Sequence, residues 1–264
     1  MKRKIIANWK MNGSYDLASG IVELLSGMGQ DLRAAGLRII LCPPFVYMDV
    51  LRRMIEERGL SGQVVIGAQD CGASAYGAHT GEVSAKMLEE CGCKYVLIGH
   101  SEVRKREVDG DREKKLKLAY HYLLDPIYCV GESISEGCDM YEGLRRDFAE
   151  IRKVVLNSEF CENRLYRCNA SNDQVTENFT IAYEPRLAIG TGTLPSKKNI
   201  EDVSLTIKEH FPEADVVYGG SVNESNISEI ASIRSIDGVL VGGASIGVKS
   251  FFNVISSILS ANTG

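Results

Sequence analysis

In "IAYEPRLAIGTG", residues 181–192, Glu184 ends a short apolar run and is followed by Pro185 and a glycine-rich tail. A carboxylate at a strand tip can serve as a base, because the buried strand fixes its direction while the tip stays open to a ligand. Two other apolar runs end in reactive groups: Lys10 in "ANWK" and His100 in "LIGHSE". Carboxylate, imidazole and ammonium together suit proton transfer next to a carbonyl. The base takes the α-proton, the imidazole polarises the carbonyl, and the cation offsets the charge of the enediolate. Gly219-Gly220-Ser221 and Gly242-Gly243-Ala244-Ser245 close two further runs. Glycines let backbone N–H groups approach an anion closely, so these turns are expected to hold phosphate and the ligand to be a small phosphate ester.

The elements that must position these groups recur regularly. Short β-rich runs begin at Lys4, Leu37, Gln63, Lys94, Pro126, Phe179, Asp215 and Gly238. Most are continuously apolar rather than alternating, as strands covered on both faces are. Helix-period segments separate them, among them "YDLASGIVELLSGMGQDLRAA", "GLRRDFAEIRKVVL" and "NIEDVSLTIKEHF". Eight β-then-α units predict an α/β fold, a (β/α)8 barrel forming one domain over residues 1–264. The reactive groups then stand at strand carboxyl ends, and the two glycine turns follow strands seven and eight, where such barrels often hold phosphate. His100 precedes a charged helical segment, which places it near helical N–H groups. The 52 positions from Cys129 to Ile181 make the longest interval between strands, and its polar stretch around 157–178 reads as an extended surface loop.

Bulk properties narrow the function classes. With 44% hydrophobic and 25% charged residues the chain reads as a soluble globular protein. A net charge of -5 argues against nucleic acid as the main partner, and no apolar run is long enough to span a bilayer. Eight cysteines lack the spacing of a zinc site or a disulfide framework and several lie in apolar runs, so reduced thiols in a cytoplasmic setting are expected. The four histidines show no metal-ligand spacing, and no G-x-G-x-x-G follows the first strand, so neither a metal nor a dinucleotide cofactor is expected. "EVRKREVDGDREKKLKL" mixes both charge signs and reads as a solvated loop and helix face.

Seven blocks in order, "ANWKMNG", "GAHTGEVSAKML", "VLIGHSE", "YCVGES", "IAYEP…AIGTG", "YGGSV" and "GVLVGGAS", resemble the motifs of the triosephosphate isomerase family, from Lys4 to Ser245. The resemblance implies a cofactor-free (β/α)8 barrel, usually homodimeric, that interconverts dihydroxyacetone phosphate and glyceraldehyde 3-phosphate. It implies Glu184 as base, His100 as electrophile, Lys10 as cation and Asn8 as its polar neighbour, with Glu102 supporting the lysine. It places Ile189–Gly192 in a lid, with Gly190, Ser221, Gly242 and Gly243 offering N–H groups to the phosphate. It also sends the loop from Asp70 to Glu82 into a second subunit, with Thr80 near Asn8 and His100 of the partner subunit. A silent descendant acting as a binding protein would be expected to have lost the Glu, His or Lys, and none is lost.

The chain departs from that pattern around the lid. After the Glu-Pro pair the family usually has an apolar residue and then Trp, and here stand Arg186 and Leu187. The far hinge often carries Lys, and here it reads Thr193-Leu194-Pro195. Two arginines usually follow the His-Ser-Glu triplet, and here they are Val103 and Arg104.

Overall fold

In the computed structural model, residues 3–132, 141–155, 179–185 and 195–262 are described. Eight parallel strands close into a barrel in chain order. They are β1 Lys4–Asn8, β2 Arg38–Cys42, β3 Val64–Ala68, β4 Tyr95–Ile98, β5 Asp125–Val130, β6 Thr180–Tyr183, β7 Asp215–Tyr218 and β8 Gly238–Val241. The seam is β1 against β8, with Lys4 opposite Gly238 and Ala7 opposite Val241. The expected (β/α)8 barrel is therefore the fold, with each strand where its apolar run lies.

The described helices around the barrel are α1 Tyr15–Gly27, α2 Gly29–Ala34, α3 Met48–Glu57, α4 Ala85–Glu90, α5 Ser101–Arg104, α6 Asp111–His121, α7 Glu142–Val155, α8 Lys197–His210, α9 Ile227–Ala231 and α10 Val248–Asn262. Serines start three of them. Ser14, Ser84 and Ser196 accept from Leu17, Met87 and Asn199 N–H groups, respectively, each satisfying a donor the helix cannot. The first helical segment reads as one helix in sequence but divides at Met28, where the backbone leaves helical geometry between two glycines. The expected loop at 157–178 lies outside the described residues.

Continuous apolar strands follow from two cores. Alternate residues of each strand point inward, where Ile6, Ile40, Leu97, Ile127, Val217 and Leu240 pack with Tyr95, Cys42, Cys129 and Ala182. The intervening residues, such as Ile5, Ala7, Ile39, Leu41, Val96 and Ile98, pack outward with the helices. A strand buried on both sides cannot alternate with polar residues.

The amino end of the barrel is closed by charge. Lys4 is buried, its ammonium donating to Thr180 Oγ1 at 3.0 Å and pairing with Asp215 Oδ2 at 2.8 Å. It also lies over the Tyr95 ring, 5.5 Å from the centroid.

The charged run after His100 is only in part the solvated face its composition suggests: Lys105, Arg106, Asp109 and Lys114 are exposed, but others turn inward. Lys115 is buried between Asp70 and Glu107, at 2.7 and 2.8 Å. Arg112 pairs with Asp147 and Glu150 on α7, at 2.8 and 2.7 Å. Opposite charges supplied by distant segments allow these long side chains to go inside. Among the described residues no helix is long and apolar enough to cross a membrane.

Candidate active site

A cavity of about 280 Å³ opens at the carboxyl ends of the strands, where Asn8, Lys10, His100, Glu184, Ser221, Gly242 and Gly243 converge. Strand ends that are far apart in sequence meet here because the barrel closes.

Lys10 follows β1 in a left-handed backbone conformation, φ 53°, uncommon for a residue with a Cβ. The surroundings enforce it: its N–H donates to Asn8 Oδ1 at 3.0 Å, and its carbonyl accepts from Gln69 Nε2 at 2.9 Å. The same Gln69 amide also reaches the Cys42 carbonyl at 2.9 Å, tying the ends of β1, β2 and β3 together. Held this way, the Lys10 ammonium meets Glu102 Oε1 at 2.7 Å. Burial pushes the Glu102 carboxyl up, but the hydrogen bond and charge of Lys10 outweigh it and hold the group below the usual carboxylate range.

His100 caps the short α5, and its Nδ1 accepts the Glu102 N–H at 3.2 Å. An accepting Nδ1 leaves the proton of a neutral ring on Nε2. That nitrogen stands 3.2 Å from Glu184 Oε1. Glu184 is buried; its Oε2 accepts the Ser101 N–H at 2.9 Å, while Oε1 has no hydrogen-bond partner. Its own N–H donates to Val130 O on the neighbouring strand, which fixes its backbone. Behind it, the Tyr183 hydroxyl bonds Glu132, which is also buried. Cys129 lies beside this carboxylate inside the barrel. Burial first and then the Glu184 charge push its thiol well above the ordinary value, so it is no nucleophile.

The two glycine turns complete the lining, Gly219 lying against Glu184 and Gly242 against Lys10. Asn226 Nδ2 holds the Ser221 carbonyl at 2.7 Å, and the Ser245 N–H and hydroxyl both donate to the Gly242 carbonyl, at 2.8 and 2.7 Å. These bonds fix the turns without placing a side chain over the cavity. A Cβ on Gly242 would lie 3.3 Å from the Lys10 Cε, so the ammonium arm runs past the β8 turn. The cavity therefore gathers a carboxylate, an imidazole, a cation and fixed backbone turns. That combination suits a ligand with an anionic end and a reacting carbonyl end.

Of the residues marked by sequence, Glu102 joins the site through Lys10, and Thr80 is exposed on the β3–α4 loop, away from the cavity lining of its own chain. Gly190, with Arg186, Leu187, Thr193 and Leu194, lies outside the described residues. Gln69 and Ser101 were missed. Gln69 had a signal, being a polar residue at the end of the apolar run "QVVIGAQ"; Ser101 acts through its backbone, which its side chain does not advertise.

A family model described as triosephosphate isomerase matches residues 3–258. The chain is 35% identical to a triosephosphate isomerase from Wolbachia sp. subsp. Brugia malayi (strain TRS), covering 97% of this chain and 98% of the relative. It is 34% identical to one from Shewanella sp. (strain MR-4), covering 99% of each, and 35% identical to one from Ehrlichia chaffeensis (strain Arkansas), covering 97% and 96%. With the barrel, the strand-end groups and these full-length similarities together, the chain belongs to the triosephosphate isomerase family.

Proposed function

We propose that this protein interconverts dihydroxyacetone phosphate and D-glyceraldehyde 3-phosphate, with Glu184 as the base. The observation that carries the assignment of roles is the meeting of Glu184 and His100, 3.2 Å apart, in a cavity that is also lined by two glycine turns. The phosphate is anchored by the backbone at Ser221, Gly242 and Gly243, and by Gly190. The carbonyl end then lies between Lys10, His100 and Glu184. Glu184 removes a proton from the carbon beside the carbonyl, and Nε2–H of His100 donates to the carbonyl oxygen as the enediolate forms. Lys10 sets a positive charge against the developing negative one, and Asn8 fixes the lysine backbone. Return of the proton to the neighbouring carbon completes the exchange. The electrons given up at one carbon are returned at its neighbour, so the exchange is redox-neutral overall and needs no redox cofactor.

The working form is a homodimer in the cytoplasm, with Thr80 brought to the mouth of the partner's cavity. The exposed Tyr76 on the loop from Asp70 to Glu82 supports this, since water is a poor environment for it. The test of the activity is a coupled assay with glyceraldehyde 3-phosphate on the parent and Glu184→Gln. Turnover in the parent and its near-complete loss in the variant are expected; a variant as fast as the parent removes Glu184 from the base role.

A further inference from the structure

α7 lays an apolar stripe on the barrel, with Leu144, Phe148, Ile151 and Val154 all buried, and in the middle of that stripe stands Asp147, 0% exposed. A buried carboxylate at such a position is not explained by stability alone, because an apolar residue of similar size would pack there as well. Its partners suggest another role. Both its oxygens accept from Arg104 Nη1, at 3.1 and 3.0 Å, and Oδ2 also accepts the Gly131 N–H at 3.3 Å, at the end of β5. Arg104 uses its remaining nitrogens on strand-end carbonyls: Nε donates to Gly99 O at 2.5 Å and Nη2 to Cys129 O. Gly99 immediately precedes His100, and Cys129 precedes Val130, whose carbonyl holds the Glu184 N–H. One carboxylate and one guanidinium thus tie the carboxyl ends of β4 and β5 to each other and to α7, directly behind the imidazole and the base.

We infer that Asp147, acting through Arg104, is a positioning residue for the His100–Glu184 pair. The inference rests on the isomerase reading for its kinetic consequence but not for its geometry. Glu150 offers an internal contrast: it pairs with the second arm of Arg112, whose first arm joins Asp147, and accepts from the Tyr128 hydroxyl, so both of these bonds are to side chains and neither is to a strand-end backbone group. Loss of the Glu150 arm is a loss of packing and charge balance only.

The test compares three full-length variants. Asp147→Asn keeps the shape and the acceptor for Gly131 but withdraws the charge from the arginines. Its kcat is expected to fall about 10- to 100-fold, the usual scale for misplacing reacting groups by a fraction of an ångström to one ångström. KM, and the inhibition constant of inorganic phosphate held at the β7 and β8 turns, are expected to stay within about twofold. Arg104→Lys keeps a cation beside Asp147 but has one terminal nitrogen in place of three, and is expected to repeat the kcat loss. Glu150→Gln is expected to lower Tm with kcat unchanged. If Asp147→Asn turns over like the parent, or all three variants lose kcat in step with Tm, Asp147 is structural and the inference falls. Should Asp147→Asn fail to fold, Arg104→Lys decides by the same outcomes. The His100 ring resonances in NMR give a reading free of activity: they should move in Asp147→Asn and Arg104→Lys and stay put in Glu150→Gln. Unmoved resonances overturn the positioning role, whereas a parent without turnover overturns the isomerase reading alone.

Discussion

Glu184 Oε1 and His100 Nε2 stand 3.2 Å apart, although they come from strands β6 and β4, which are not neighbours in the barrel. The carboxylate bridges the gap left by β5, leaning on the Ser101 amide with its other oxygen. Its reach is therefore matched to its length. Glu184→Asp is expected to keep the fold and KM but to cut kcat about 100-fold or more, because one methylene withdraws the base by roughly an ångström. Steady-state kinetics alongside a thermal melt check this, and near-normal turnover would refute it.

Gly219 guards that reach from the β7 side. A Cβ there would lie 3.1 Å from Glu184 Cγ and 3.3 Å from both Leu240 Cδ2 and Tyr183 O. The backbone carbonyl cannot move easily, so the carboxylate arm must give way. Gly219→Ala is expected to lower kcat about tenfold with little change in Tm. A variant that melts early and yet retains its kcat would locate the strain in the strand instead.

The Lys10–Glu102 pair gives a pH signature. Glu102 titrates below its ordinary value in the folded protein, so it contributes stability that is present above the unfolded-state value, about 4.3, and is lost as pH falls through the folded one. The Tm difference between the parent and Glu102→Gln should be constant from about pH 6 to 8 and shrink below about pH 4.3. At neutral pH the variant is expected to lose roughly fivefold in kcat/KM, the effect of one hydrogen bond of about 1 kcal/mol on the placing of Lys10. A Tm difference that does not vary with pH would mean that the pair is not formed in solution.

The dimer is open to a direct measurement. Sedimentation of the purified chain at micromolar concentration should give twice the chain mass, and Tyr76→Lys should shift the protein towards monomer and reduce its activity together. A fully active single-chain species would end the proposal that a second subunit completes the site.

The strands were legible because a strand covered on both sides must be apolar at nearly every position, and eight such runs leave few folds. The reactive groups were legible because a charge at the end of such a run is costly without a use. Charges inside the fold were not. Lys4, Lys115 and Asp147 are buried through partners that lie far away in sequence, Asp215, Asp70 and Arg104 among them, and no local period encodes a distant partner. Composition alone therefore read the run containing Lys115 and Arg112 as solvated. Asp147 did leave a trace, a lone carboxylate at helical spacing between Leu144 and Phe148 and Ile151, which is the place where a charge least belongs. The left-handed backbone of Lys10 left none, since it is imposed by Asn8 and Gln69 rather than by the residue itself.

The seam between β1 and β8 sets a timetable for the nascent chain. The Lys10 ammonium arm runs along the turn at Gly242, so the first reactive group to be translated is completed only by the strand that follows all the others. A ribosome-bound chain that has not yet reached Gly238 already carries base, imidazole and ammonium, but it has no full phosphate cradle, and one edge of β1 is unpaired. An unpaired apolar edge is adhesive. Competence thus arrives all at once and late in synthesis, and the interval before it is when the growing chain most needs shielding from its neighbours.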